Sequence, residues 1–210
     1  MTQHSAVKEN DKLAQIALSL HEIGAIRFGS FRTDTGDLTP VDINLRVLIS
    51  YPMVMRRVAE AYAMVLRRTE FDCLATFPYA GLPIGVAVSL YMNRPLVYPR
   101  KEINNKGIEG VFEVGQRAIL IEDLITTGKS IIEVCAIIKS HGLSINQAVV
   151  LVDREVGGVE MLAKQGIRVY PIFPLTRLFA YLEANNRISS HKRAEIMNVL
   201  NVNVQKRKAN

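Results

Sequence analysis

Two adjacent carboxylates, Glu122 and Asp123, precede a turn of hydroxyls and a glycine, Thr126-Thr127-Gly128-Lys129-Ser130. Hydroxyl and backbone N–H donors suit a phosphate, whereas neighbouring carboxylates suit a sugar diol, whose hydroxyls donate to them. Gly128-Lys129-Ser130 looks like the end of a nucleoside-triphosphate loop, but that loop needs a glycine five residues earlier so that amides can wrap the phosphates. Position 123 is aspartate, so the polyphosphate loop is excluded. What remains is an apolar strand pattern over Ala118 to Ile121, the acids, the hydroxyl-rich turn and a helix pattern from Ile131. Such a unit presents unpaired N–H groups at a helix N-terminus, where the dipole also favours an anion. A ligand with both a phosphate and a vicinal diol is a ribose 5-phosphate. The competing reading is a polar strand end and a solvated turn. It ranks second, because two acids following a buried strand are costly unless something binds them.

Three further stretches hold candidate site residues. Phe77–Gly85, "FPYAGLPIG", is a conformationally constrained loop with two prolines and two glycines. Its alternative reading is a tight strand-to-helix turn. "PRKEINNKGIEG", from Pro99 to Gly110, carries Arg100, Lys101 and Lys106 and suits a lid that closes over an anion and excludes water. A solvated surface loop is the alternative. "VDREVGG" places Arg154 at a strand end. Arginine grips a planar carboxylate through two parallel hydrogen bonds; a structural salt bridge to Asp153 or Glu155 is the alternative.

The elements that position these residues alternate. A helix is expected over Lys8 to Ile23, with Leu13, Ile16, Ala17, Leu20 and Ile23 on one face. Turn signals at Asp34-Thr35-Gly36-Asp37 and Thr39-Pro40 break Ala25–Arg46 into short strands of a small hood. A helix over Tyr51 to Glu70 opens with Pro52 in its first turn. Strands are then expected at Cys73–Phe77, Pro95–Tyr98, Ala118–Glu122, Gln147–Val152 and Arg168–Phe173. Helices are expected at Leu82–Met92, Ser130–His141, Gly158–Gln165 and Leu175–Ala184. Short strands separated by helices imply an α/β fold with a mostly parallel central sheet flanked by helices. In such sheets ligands bind beyond the strand C-termini, where the strand order reverses, and the motifs above fall at those ends.

Of 210 residues, 49% are hydrophobic and 22% charged, enough for a substantial core. No run approaches the ~20 apolar residues of a membrane span, and the start, "MTQHSAVKENDK", lacks the apolar core of a secretory signal. Cys73 and Cys135 lie in apolar runs and read as buried thiols of a reducing compartment. A cytoplasmic protein without a membrane partner is expected. The net charge of +6 is concentrated from Arg187 onward, where Arg187, Lys192, Arg193, Lys206, Arg207 and Lys208 face a single acid, Glu195. A nearly neutral body with a basic tail makes nucleic acid an unlikely partner, and no zinc spacing or nucleic-acid-binding pattern stands out.

Taken together, "IGAIRFGSF" (Ile23–Phe31), "TPVDINLR" (Thr39–Arg46), "FPYAGLPIG", "YPRKE" (Tyr98–Glu102), "ILIEDLITTGKS" and "VVLVDREVGG" (Val149–Gly158) resemble, in order, the motifs of the orotate phosphoribosyltransferases. These are type I phosphoribosyltransferases, and the first domain of UMP synthases is similar. The resemblance implies a type I phosphoribosyltransferase domain over residues 1–186, including an N-terminal hood, followed by a basic tail over residues 187–210. It implies transfer from phosphoribosyl diphosphate (PRPP) to orotate, giving orotidine 5′-phosphate and pyrophosphate. Mg²⁺ would enter through PRPP with no direct protein ligand. Glu122 and Asp123 would hold the ribose diol, and Thr126, Thr127, Gly128, Lys129 and Ser130 the 5-phosphate. Tyr79, Ala80 and Gly81 would face the pyrophosphate, and Arg154 the orotate carboxylate. Arg100, Lys101 and Lys106 would belong to a lid that crosses to the other site of a homodimer, with Arg100 and Lys101 on the pyrophosphate; Asp123, Arg100 and Lys101 form the catalytic set. Three positions depart from the family pattern. Asp34 stands where a hood lysine is usual, Asn104 replaces a second lid lysine, and Lys106 replaces a histidine or tyrosine; the lid is also shorter. Fewer cations then surround the leaving group, which leaves a second reading open, a weak or inactive homologue that binds PRPP or a nucleotide in a regulatory role.

Overall fold

The structure, a computed structural model, describes residues 3–32, 36, 38–100 and 107–209. In chain order its elements are α1 (Gln3–Glu22), β1 (Ile26–Arg32), β2 (Leu38–Ile43), a 3₁₀ segment (Leu45–Ser50), α2 (Pro52–Leu66), β3 (Cys73–Thr76), α3 (Gly81–Met92), β4 (Leu96–Pro99), β5 (Ile108–Glu109) and β6 (Arg117–Ile125). There follow α4 (Lys129–Ser140), β7 (Ser144–Asp153), α5 (Gly158–Lys164), β8 (Arg168–Pro174), α6 (Leu175–Ala184) and α7 (Ser190–Ala209). The chain divides into two compact units, one of Met1–Val54 with Leu175–Asn210, the other of Met55–Pro174.

In the first unit, α1 buries Leu13, Ile16, Ala17 and Leu20, the face its spacing implies. The hood strands β1 and β2 form an antiparallel pair, Ile26 opposite Ile43, with a register shift between Phe28 and Phe31. Phe28 packs edge-on against Phe179 of α6 at 5.6 Å between ring centroids. The basic tail is more than a run of charge. Most of it is helix α7, whose Ile196 and Leu200 are buried. Its charge is partly used internally: Arg187 meets Glu22 at 2.7 Å and Arg193 meets Glu183 at 2.5 Å. The sequence signal of charge masked the apolar residues that give this segment a buried side.

The second unit is a six-stranded sheet in the order β5-β4-β3-β6-β7-β8. All neighbours are parallel except β5, which runs antiparallel to β4. Buried Leu120, Ile125, Ala148 and Val150 of the sheet pack with Ile131, Val134, Cys135 and Ile138 of α4 and Leu162 of α5. Continuous apolar strands such as β7, buried from Ala148 to Asp153, belong to sheets covered on both faces. After β3 the chain steps outward to β4, then returns to place β6 on the other side of β3. That reversal opens a crevice at the C-terminal ends of β3 and β6. Among the described residues no helix is long and apolar enough to cross a membrane.

Candidate functional site

The crevice is built on a mismatch of strand lengths. β3 and β6 pair up to Thr76 opposite Ile121, but β6 continues to Ile125, still paired with β7 as far as Asp153. The acids were expected at or past the end of a strand closing at Glu122; they lie inside a longer one, on the part that outruns β3. The loop after β3 and the first turn of α3 occupy the space beside it. Thr76 Oγ1 donates to the Ile121 carbonyl at 3.0 Å, and the Tyr62 hydroxyl of α2 donates to the Glu122 carbonyl at 2.6 Å.

The two carboxylates differ. Glu122 is 5% exposed. Its Oε1 accepts the Asp123 backbone N–H at 3.1 Å, while Oε2 is buried with no hydrogen-bond partner among the described residues. Burial, with the Asp123 carboxylate beside it, pushes the Glu122 carboxyl up to about 9. Asp123 is half-buried, and its Oδ1 accepts the Leu124 N–H at 2.8 Å. An orphaned buried acceptor costs roughly 1–3 kcal/mol, and a ligand hydroxyl entering the crevice would satisfy it.

Past β6, the chain turns through Thr126, Thr127 and Gly128 into α4. Gly128 has φ +81°, and Thr127, Lys129 and Ser130 are exposed at the helix start. This hydroxyl-rich turn presents the first-turn N–H groups of α4, the local chemistry of an anion site. Its shape is held from α5: a methyl at Gly158 would lie 2.3 Å from the Thr126 carbonyl, and one at Gly128 3.0 Å from the Leu162 side chain. Sequence reading treated Gly158 as a helix start only; its role as a spacer between loops needs the packing.

Arg154 follows the buried Asp153 at the end of β7. Its backbone N–H donates to the Ile125 carbonyl at 3.1 Å, tying it to the end of β6. Asp153 Oδ1 accepts the Glu155 N–H at 2.8 Å, and Glu155 takes φ +56°. Burial raises the Asp153 carboxyl above its ordinary range.

On the β3 side, the Pro78–Tyr79 peptide is cis and Tyr79 is 71% exposed. A methyl at Gly81 would lie 2.8 Å from Thr76 Oγ1 and 3.1 Å from Glu122 Oε1, so only glycine lets this turn sit directly on the acid. Tyr79, Leu82, Tyr98 and Arg100 border an open cleft of about 600 Å³. Arg100, expected on pyrophosphate, forms an ion pair with Glu109 of β5, which sequence reading did not single out. The sites expected at Lys101 and Lys106, and the departures at Asp34 and Asn104, lie outside the described residues.

The structure therefore brings Glu122, Asp123, the Thr126–Ser130 turn, the Tyr79–Gly81 turn and Arg154 to one end of one sheet. No family model matches the chain. It is 34% identical over 189 residues to an orotate phosphoribosyltransferase of Chlamydia pneumoniae, an alignment covering 87% of this chain and 90% of that protein. It is 33% identical over 184 residues to the bifunctional enzyme PyrF/PyrE of Nostoc, covering 86% of this chain but 39% of the relative. Among solved structures, the UMP synthase of Leishmania donovani superposes with a TM-score of 0.82 at 38% identity, over 90% of this chain and 41% of that one. The chain thus spans about two fifths of these bifunctional relatives and nearly all of the single-function one. All three are named as enzymes, which leaves the reading of a silent regulatory homologue without support. The order of the sheet, the acids on its overhanging strand and this similarity along most of its length converge: the chain belongs to the orotate phosphoribosyltransferase family.

Proposed function

We propose that this chain transfers the phosphoribosyl group of PRPP to orotate, releasing pyrophosphate and forming orotidine 5′-phosphate, a step of pyrimidine nucleotide synthesis. The observation that carries the reading is the buried, unsatisfied Glu122 Oε2 beside Asp123, immediately upstream of the anion-binding turn of α4. Asp123 and Glu122 receive the ribose diol, and Thr126, Thr127, Gly128, Lys129 and Ser130 take the 5-phosphate. Backbone groups of Tyr79, Ala80 and Gly81 face the diphosphate, while Arg154 grips the orotate carboxylate. In the transition state the ribose–pyrophosphate bond lengthens and negative charge builds on the leaving group, where Arg100, Lys101 and Lys106 supply preorganised cations. Lid closure, with the lid reaching the partner's site in a homodimer, excludes water from the bond being broken.

No cluster of three or more metal-ligating side chains occurs among the described residues. The oxygen-rich crevice, with the half-buried Asp123 near the Thr126 and Thr127 hydroxyls, suits a hard cation that arrives on substrate phosphates, keeps its own waters and takes no direct protein ligand. Mg²⁺ bound in this way would supply charge neutralisation on the diphosphate. The direct test is a spectrophotometric assay of purified protein with PRPP, Mg²⁺ and orotate; absence of orotidine 5′-phosphate with PRPP still bound would overturn the proposal.

Two variants separate the ends of the site. Arg154→Ala should raise KM for orotate by about 10- to 100-fold, the range for losing charge-assisted hydrogen bonds, and leave the PRPP dissociation constant within a few-fold. Equal losses for both substrates would make Arg154 a structural residue. Glu109→Gln releases Arg100 from its ion pair, so pyrophosphate no longer competes with a carboxylate. Because both partners are 39% exposed, the gain in pyrophosphate affinity is small, about 2- to 5-fold, and product-inhibition kinetics would read it. A weakening would place Glu109 in support of the bound ligand.

A further inference from the structure

We infer that Tyr62 is a positioning residue for the acid pair, fixing the overhanging part of β6 so that its carboxylates meet the ribose diol. Tyr62 is fully buried in α2, a helix that also buries Val58, Ala59, Ala61 and Ala63. A tyrosine hydroxyl in such surroundings needs a partner. It finds one in the Glu122 carbonyl, 60 residues away in sequence, at 2.6 Å. One side chain thus ties α2 to the backbone of β6 at the residue where β6 has lost β3 as a neighbour.

The local chemistry keeps that contact in place. Burial, then the Asp123 and Glu122 charges, raise the Tyr62 phenol well above its ordinary range, which favours the protonated, hydrogen-bond-donating form. The peptide it holds links the two carboxylates, since the Glu122 carbonyl and the Asp123 N–H belong to the same planar unit. Rotation of that plane would redirect both side chains. Without the hydroxyl, the Glu122 carbonyl loses that donor, and the strand end gains freedom where rigid presentation of the acids matters.

The inference rests on the proposed contact between the acids and the diol, and the experiment separates the two. Calorimetry on the full chain compares ribose 5-phosphate with 2-deoxyribose 5-phosphate, whose affinity ratio reads the diol contact and cancels the phosphate contact. Asp123→Asn should abolish most of the preference for ribose. Tyr62→Phe keeps the ring volume and removes one hydroxyl; it should lower that preference by roughly 3- to 10-fold while 2-deoxyribose 5-phosphate binds as before. Val58→Ala, a cavity at a buried position on the same helix, should lower the melting temperature and leave the ratio unchanged. A ratio untouched in Tyr62→Phe, or a loss shared equally by both sugars, with Asp123→Asn still abolishing the preference, overturns the positioning role alone. A preference that survives Asp123→Asn overturns the diol reading and the inference built on it.

Discussion

Asp123→Asn is expected to weaken PRPP binding by about 10- to 100-fold, with orotate affinity unchanged. The substitution preserves shape and removes charge. A hydrogen bond to a charged group contributes about 1.5–3 kcal/mol against about 1 kcal/mol for a neutral one, and the diol offers Asp123 two donors. The carboxylate is half-buried and also holds the Leu124 N–H at 2.8 Å, a contact the amide oxygen of asparagine retains. Strand β6 should therefore keep its path, and the loss reports the ligand contact rather than unfolding. Titration calorimetry with PRPP and Mg²⁺ reads the effect. Unchanged affinity would remove the acids from the site and undo the central assignment.

Gly158→Ala should be more damaging than its size implies. Its methyl would sit 2.3 Å from the Thr126 carbonyl and 2.8 Å from Ile125 Cγ1, so either α5 or the turn after β6 must move. Displacements near 1 Å in a site that relies on orientation can lower rates about 10²-fold, and kcat/KM for PRPP is expected to fall by that order. Gly166→Ala is the control: its added methyl meets nothing within 4 Å, though φ is +71°. It should cost about 1–3 kcal/mol of stability through backbone strain and leave kcat/KM intact. Equal activity in both variants would show that the contact at Thr126 yields without disturbing the phosphate turn.

Much of this was readable from residues alone. The α/β alternation, the helix faces and the position of each motif at a strand end follow from hydrophobic period and from glycine and proline punctuation. The extent of β6 was not readable, because Glu122-Asp123 looks like a polar stop. Only the pairing with β7 shows that polar residues continue the strand to Ile125. Tyr62 was equally hidden: in sequence it is one aromatic on an apolar helix, and its partner is 60 residues away. Gly158 shows the same limit. A helix-opening glycine is common, and the need for it lies in the backbone atoms it faces. The buried side of the tail was not legible either, since charge counts do not reveal Ile196 and Leu200 turning inward.

The short β5 has a consequence for how this enzyme family can vary. It returns the chain antiparallel to β4, pairing Tyr98 with Glu109, and the Arg100 N–H donates to the Gly107 carbonyl at 2.8 Å. The two ends of the intervening stretch are thus clasped together at their root. A stretch tethered in this way can gain or lose residues cheaply, because doubling a loop adds only about 0.6 kcal/mol of closure entropy. Selection on catalysis can then act on the length and charge of the stretch as a module, with no compensating change in the strands.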